Sequence, residues 1–152
     1  MTFKEIDTIL KSHKEKSKIY YRRKQQLAAL WLEMQGLNAV RFDKVSVQGG
    51  EKSTRLDDLI DKEIELSKIV QDALFEKSKA YENAMRLIDL ANNNFNDADI
   101  LSEIYLLEKS YSAVSKKYGY DKQALWNKVH KAKSQLVKTT EKKGLKYIDF
   151  VD

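Results

Sequence analysis

Residues 110–136, SYSAVSKKYGYDKQALWNKVHKAKSQL, carry the pattern of two helices around a tight turn. Ser110 stands where a helix N-cap accepts a hydrogen bond from the backbone of the first turn, and Asp121 repeats that signal before the second helix. Between them Gly119 takes the position that needs positive φ if the chain is to reverse within a few residues, a conformation glycine adopts without a Cβ clash. In the first helix Ala113, Val114 and Tyr118 are placed to face inward, and Tyr120 plugs the core from the turn. In the second, Leu125, Val129, Ala132 and Leu136 recur at intervals of four, three and four, which lines them along one buried edge.

The edge opposite that stripe suggests a chemistry. At about 100° per residue, Gln123, Asn127, His130 and Ser134 centre on the side away from the core, with Trp126 and Lys131 flanking them. Glutamine and asparagine pair bidentately with adenine in the major groove, and the early turns of a recognition helix are the ones that reach base edges. Lys122, Gln123, Trp126, Asn127 and His130 are therefore the candidate base-contacting residues, with Gln123 and Asn127 foremost. Lys116, Lys117, Lys128, Lys131 and Lys133 are candidate phosphate contacts, which add affinity and salt dependence without choosing a sequence. Each has a plainer alternative. A lysine run is commonly a solvated helix face, Trp126 can close the core beneath the preceding helix instead of touching thymine methyls, and His130 can be a surface histidine with no role.

Charge is distributed to match. The net charge of +5 is mild, but residues 109–146 hold eleven lysines against Asp121 and Glu141, a local balance of +9. Residues 51–95 carry seven basic against ten acidic side chains, so a polyanion would be met at the C-terminal end.

Upstream, Phe3, Ile6, Ile9, Leu10, Ser17, Tyr20, Leu27, Leu30, Trp31 and Met34 recur mostly at spacings of three and four, predicting one long helix from Thr2 to Gln35 with Gly36 just past its end. Residues 37–53 read as an ordered loop, with a short alternation over Val40, Phe42, Val45 and Val47. Ser53 or Thr54 is placed to cap a second long helix to about Leu90, its stripe being Leu56, Ile60, Ile64, Val70, Leu74, Tyr81, Met85 and Ile88. The asparagines at 92, 93, 94 and 96 mark a boundary, after which Asn96 or Asp97 caps a short helix facing inward with Ile100, Ile104 and Leu107. The expected fold is all-α: a coiled-coil-like helical hairpin over 1–91, a helix-turn-helix module over 96–138 and a tail over 139–152. A long thin hairpin buries little alone, so a homodimer through the same stripes is expected, the alternative being a monomer whose hairpin folds onto the C-terminal helices.

The window 110–136, preceded by the acidic NDADILSEIYLLEKS, resembles the region 4 helix-turn-helix of bacterial sigma factors. Ser110, Val114, Tyr118, Gly119, Asp121, Leu125 and Leu136 stand at that pattern's caps, inward positions and turn. The sequence departs from it at Trp126, where an exposed arginine is typical, and at Lys128, where an apolar residue is. With the coiled N-terminal half and the stretch VQGGEKSTRLDDLIDKEIEL, the whole chain is similar to small phage regulators of late-gene transcription, the RinA/ArpU-like group. That resemblance implies promoter-proximal binding to double-stranded DNA and contact with RNA polymerase. A small terminase subunit, which also joins a helix-turn-helix to oligomerising helices, and a protein-interaction inhibitor or antirepressor are the alternatives.

Other classes find little support. The chain has no cysteine and only His13 and His130, which leaves no thiolate metal site and no cofactor expected. Carboxylates are plentiful but lie beside lysines on amphipathic helices, where i,i+4 pairing accounts for them. Gly49–Gly50 is too little for a phosphate loop, so no enzymatic activity is expected. No apolar run reaches membrane-spanning length, and residues 1–19 interleave charges with apolar residues unlike a signal peptide, so a cytoplasmic location in a bacterial host is expected.

Overall fold

A computed structural model describes residues 1–43, 50–92 and 96–151, with side chains described over 1–37, 55–92 and 96–151. It is all-helical: α1 (Phe3–Asp43), α2 (Gly50–Asp89), α3 (Asp97–Leu101), α4 (Tyr111–Tyr118), α5 (Lys122–Lys143) and α6 (Ile148–Val151), with no strand among the described residues. No helix among these residues is long and apolar enough to cross a membrane. No group of three or more His, Asp or Glu side chains there is placed to hold a metal.

Local chemistry explains why α1 begins where it does. The Thr2 N–H donates to Glu5 (2.8 Å) and the Glu5 N–H donates to the Thr2 hydroxyl (3.2 Å), a reciprocal cap of two otherwise unsatisfied donors. Its end differs from expectation. The helix runs through Gly36 to Asp43, because Gly36 stands on an open face and a single glycine costs only about 1 kcal/mol against alanine within a helix. Val40 and Phe42 are thus helical in backbone rather than extended. α2 starts at Gly50, so Ser53 and Thr54 lie inside it rather than ahead of it. Of the expected loop, residues 44–49 lie outside the described residues.

The long helices α1 and α2 pack together, and the molecule divides into two compact units. The boundaries between them fall within α1 and α2, not at the asparagine run. The first unit joins Met1–Lys16 to Lys77–Asp152, and its core draws on every helix: Ile6 and Leu10 of α1, Leu87 and Ile88 of α2, Ile100 and Leu101 of α3, Val114 of α4, Leu125 and Leu136 of α5, and Phe150 of α6. Residues 139–152 are therefore no loose tail. α5 extends to Lys143, Gly144 ends it at φ 67°, and Phe150 is buried.

The second unit, Ser17–Glu76, is made of the remaining turns of α1 and α2. Leu27, Leu30 and Leu59 are buried there, the Trp31 indole donates to Glu63 (3.0 Å), and Arg55 pairs with Glu33 (2.9 Å).

On α2 the inward edge is rotated from the expected one. Ile60, Ile64, Leu74, Tyr81 and Met85 are exposed, while Leu59, Ala80, Ala84 and Leu87 join Ile88 inside. Both edges are apolar enough to qualify, and size decides between them, since alanines at 80 and 84 let two backbones approach where larger side chains would hold them apart.

The segment after α3 corrects another expectation. Ser102–Leu106 forms a π-helical turn in which the Leu107 N–H donates to the Ser102 carbonyl (3.0 Å). The extra residue in the turn shifts the helical phase, so Tyr105 and Leu106 face the core and Leu107 is exposed. Asn96 precedes α3 at φ 60° and makes no side-chain cap.

Candidate nucleic-acid interface

The α4–turn–α5 segment is built by three local devices. The Ala113 N–H donates to the Ser110 hydroxyl (3.2 Å), and Gly119 ends α4 at φ 74°, where a Cβ would be strained. The Ala124 N–H donates to Asp121 (2.7 Å), starting α5. Val114, Leu125, Val129, Ala132 and Leu136 are buried, with Tyr118 and Tyr120 packed half-buried around them, whereas Ala113 faces solvent.

With one edge of α5 in the core, Gln123, Asn127, His130 and Lys131 are exposed on the other side, and Ser134 is half-buried beneath them. The Gln123 side-chain amide donates to the Asn127 carbonyl oxygen (3.3 Å), which sets the two amides side by side on successive turns. Trp126 is 53% exposed and does not close the core. Instead it stacks on His130, ring centroids 5.2 Å apart and planes 14° from parallel, and the Phe3 ring of α1 also meets that imidazole, tilted by 40° with centroids 4.8 Å apart. Lys122 is exposed at the start of the helix.

The lysines divide sharply. Lys116 and Lys131 are exposed and take part in no ion pair among the described residues. Lys133 is buried, contrary to its expected place on phosphate: its ammonium bonds Asp7 (2.6 Å) and lies over the rings of Phe3 (5.7 Å) and Tyr105 (4.8 Å). Lys128 is likewise turned inward, half-buried, paired with the buried Asp97 (3.1 Å) and over Tyr120. Lys117 stays exposed along its stem but places its ammonium on the buried Glu103, which Lys109 also holds (2.9 Å). For these three the expectation is corrected by the same cause, a carboxylate brought within reach from another part of the fold.

Glu103 therefore pins α4 to the turn after α3. Its bond from Lys117, with that from Lys109, outweighs burial and holds its carboxyl down at about 2. An unfolded glutamate titrates near 4.5, so this contribution to stability is complete above that pH and is lost as pH falls from there toward 2. Chemical unfolding of wild type and Glu103→Gln across this range should show the wild-type advantage shrinking with acid. An advantage that stays constant from neutrality to the acid limit would contradict the assignment.

Sequence reasoning missed Phe3, Asp7, Asp97 and Glu103 as parts of this surface and its support. No local signal marks them, since Asp7 and Lys133 are 126 positions apart in sequence.

Comparison with known proteins brings no parallel to this arrangement: no family model matches the chain, and neither do any curated proteins or solved structures. The fold is that of an all-helical protein, and in its larger unit two capped helices, α4 and α5, follow one another across a glycine turn.

Proposed function

We propose that the chain is a sequence-specific DNA-binding protein that regulates transcription in the manner of the small phage late-gene regulators it resembles, acting in the cytoplasm of a bacterial host. One observation carries this reading. Gln123 and Asn127 lie adjacent and exposed on the early turns of a helix whose opposite edge is buried, after a glycine turn that redirects the chain from α4 into α5. Two amides on successive turns match the donor and acceptor edges of adenines in a major groove. Lys116 and Lys131 flank them with free ammonium groups for phosphate, and Lys122 stands at the helix start.

In this reading α4 crosses the backbone and α5 enters the groove. The hairpin unit serves assembly: Tyr21, Trp31, Leu32, Ile64 and Phe75 are all more than two-fifths exposed, apolar surface that suits a second copy of the chain or a face of RNA polymerase. The protein's work is binding and no catalytic step is required of it.

Selecting duplex fragments from a random pool with the purified chain, followed by mobility shifts on the winner, tests the proposal. A defined site should emerge, and affinity should fall on the order of 100-fold between about 50 and 200 mM salt for about four phosphate contacts. Gln123→Ala and Asn127→Ala should each cut discrimination against the wrong base by about 1–3 kcal/mol, roughly 5- to 150-fold, and leave general binding in place. A pool that yields no shared site, or variants that select as the wild type does, would remove the reading.

A further inference from the structure

The first turns of α1 lie along the flank of α5. The Met1 ammonium donates to the Thr140 hydroxyl (3.5 Å), Asp7 accepts from Lys133 (2.6 Å), and the Phe3 ring meets His130. Phe3, His130 and Trp126 thus form a single ladder of three rings drawn from the two ends of the chain, with His130 in the middle at 4.8 and 5.2 Å from its neighbours. An imidazole in contact with two rings has less freedom to swing, which restricts the direction of its nitrogens. A ladder whose Trp126 is half in solvent is poorly placed to stabilise a core and well placed to present polar and aromatic edges outward.

Beside this ladder Lys4, next in chain to Phe3, is exposed and in no ion pair among the described residues. Lys11 follows on the same face of α1, seven residues and about 10.5 Å further along. It is exposed and bonds Asp7 (2.6 Å), whose carboxylate is already matched by Lys133. Glu5, next in chain to Lys4, is engaged in the cap at Thr2.

We propose that the DNA-contacting surface continues from α5 onto the first turns of α1, where Phe3 is a positioning residue for His130 and Trp126 and where Lys4 and Lys11 meet phosphates beside the groove. This rests on the DNA-binding reading above. The partner is duplex DNA flanking the bases that Gln123 and Asn127 contact. A phosphate on Lys11 takes over a cation whose loss Asp7 tolerates, because Lys133 remains.

The test uses the full chain and the duplex it selects, with binding measured at several salt concentrations. Lys4→Gln with Lys11→Gln should make the slope of log affinity on log salt shallower by about 1.8, two phosphates' worth, and weaken all sequences alike. Phe3→Leu should keep the slope and relax base preference at one position by roughly 5- to 10-fold, within the range of a single base contact, and Phe3→Tyr should restore it. Lys131→Gln serves as the reference on α5. If Lys131→Gln flattens the slope and the Lys4/Lys11 pair does not, the extension onto α1 is overturned while the DNA-binding reading stands. If the wild type binds no duplex, that reading fails and this one with it. A Phe3→Leu chain that keeps its helicity and selects as before removes the positioning role, and if that variant does not fold, the exposed lysine pair decides.

Discussion

Replacing Asp7 with alanine is expected to destabilise the larger unit by about 3 kcal/mol, because it strands an ammonium that the fold has already taken out of water. The Lys133 side chain is 10% exposed, and its ammonium lies over the rings of Phe3 and Tyr105. Burial pushes the Asp7 carboxyl up, but the hydrogen bonds from Lys11 and Lys133 prevail and hold it below the ordinary aspartate value. The pair is therefore engaged as ions, and removing the acid leaves Lys133 with rings alone. Lys133→Met keeps the length of the stem and leaves Asp7 with Lys11, so it should cost less than about 1.5 kcal/mol, as volume-conserving core changes do. The double variant should recover much of the loss. Urea unfolding of the four proteins gives the coupling directly, and an Asp7→Ala cost near zero would mean that water already reaches the pair. If the chain binds DNA as proposed, Lys133→Met should also leave the salt dependence of that binding untouched, since its charge is paired inside the protein.

Leu125→Ala should cost about 2–5 kcal/mol, a large part of the roughly 5–15 kcal/mol that holds a typical domain folded. Leu125 is completely buried in the first turn of α5, a helix that packs against both α3 and α4. Few alternative side chains can collapse into the space, because the capped start of α5 fixes the backbone on one side and the glycine turn fixes it on the other. For a chain of this size the thermal midpoint should drop by roughly 5–15 °C, and Leu125→Met by a few degrees at most. Calorimetry measures both. A Leu125→Ala protein as stable as the wild type would show that the segment is not anchored through this edge, and with it the orientation of Gln123 and Asn127 would be in question.

The helix-turn-helix is where sequence was most legible, because its determinants are local. Ser110, Gly119 and Asp121 each act within four residues, and the four, three, four spacing from Leu125 to Leu136 selects one edge of one helix. The long hairpin was less legible. On α2 the pattern holding Ile60, Ile64 and Leu74 and the pattern holding Leu59, Ala80 and Ala84 are both amphipathic, and only contact with α1 discriminates between them. The π-helical turn at Ser102–Leu106 leaves no periodic trace either, since its phase shift appears only once Tyr105 and Leu106 are packed.

The sequence by itself determined the class, an all-helical chain with no proline to interrupt long helices, and within it the caps, the glycine turn and the buried edge of α5, all set by interactions spanning a turn or two. Only the tertiary structure decided which lysines are free to meet a ligand. Lys117, Lys128 and Lys133 look identical to Lys116 and Lys131 in sequence, yet Glu103, Asp97 and Asp7 claim the first three. The same holds for Phe3, which reaches His130 only because α1 returns to the side of α5. An ion pair or ring contact between distant residues depends on where the backbone carries them, and that is fixed by the packing of the whole core, not by any local spacing.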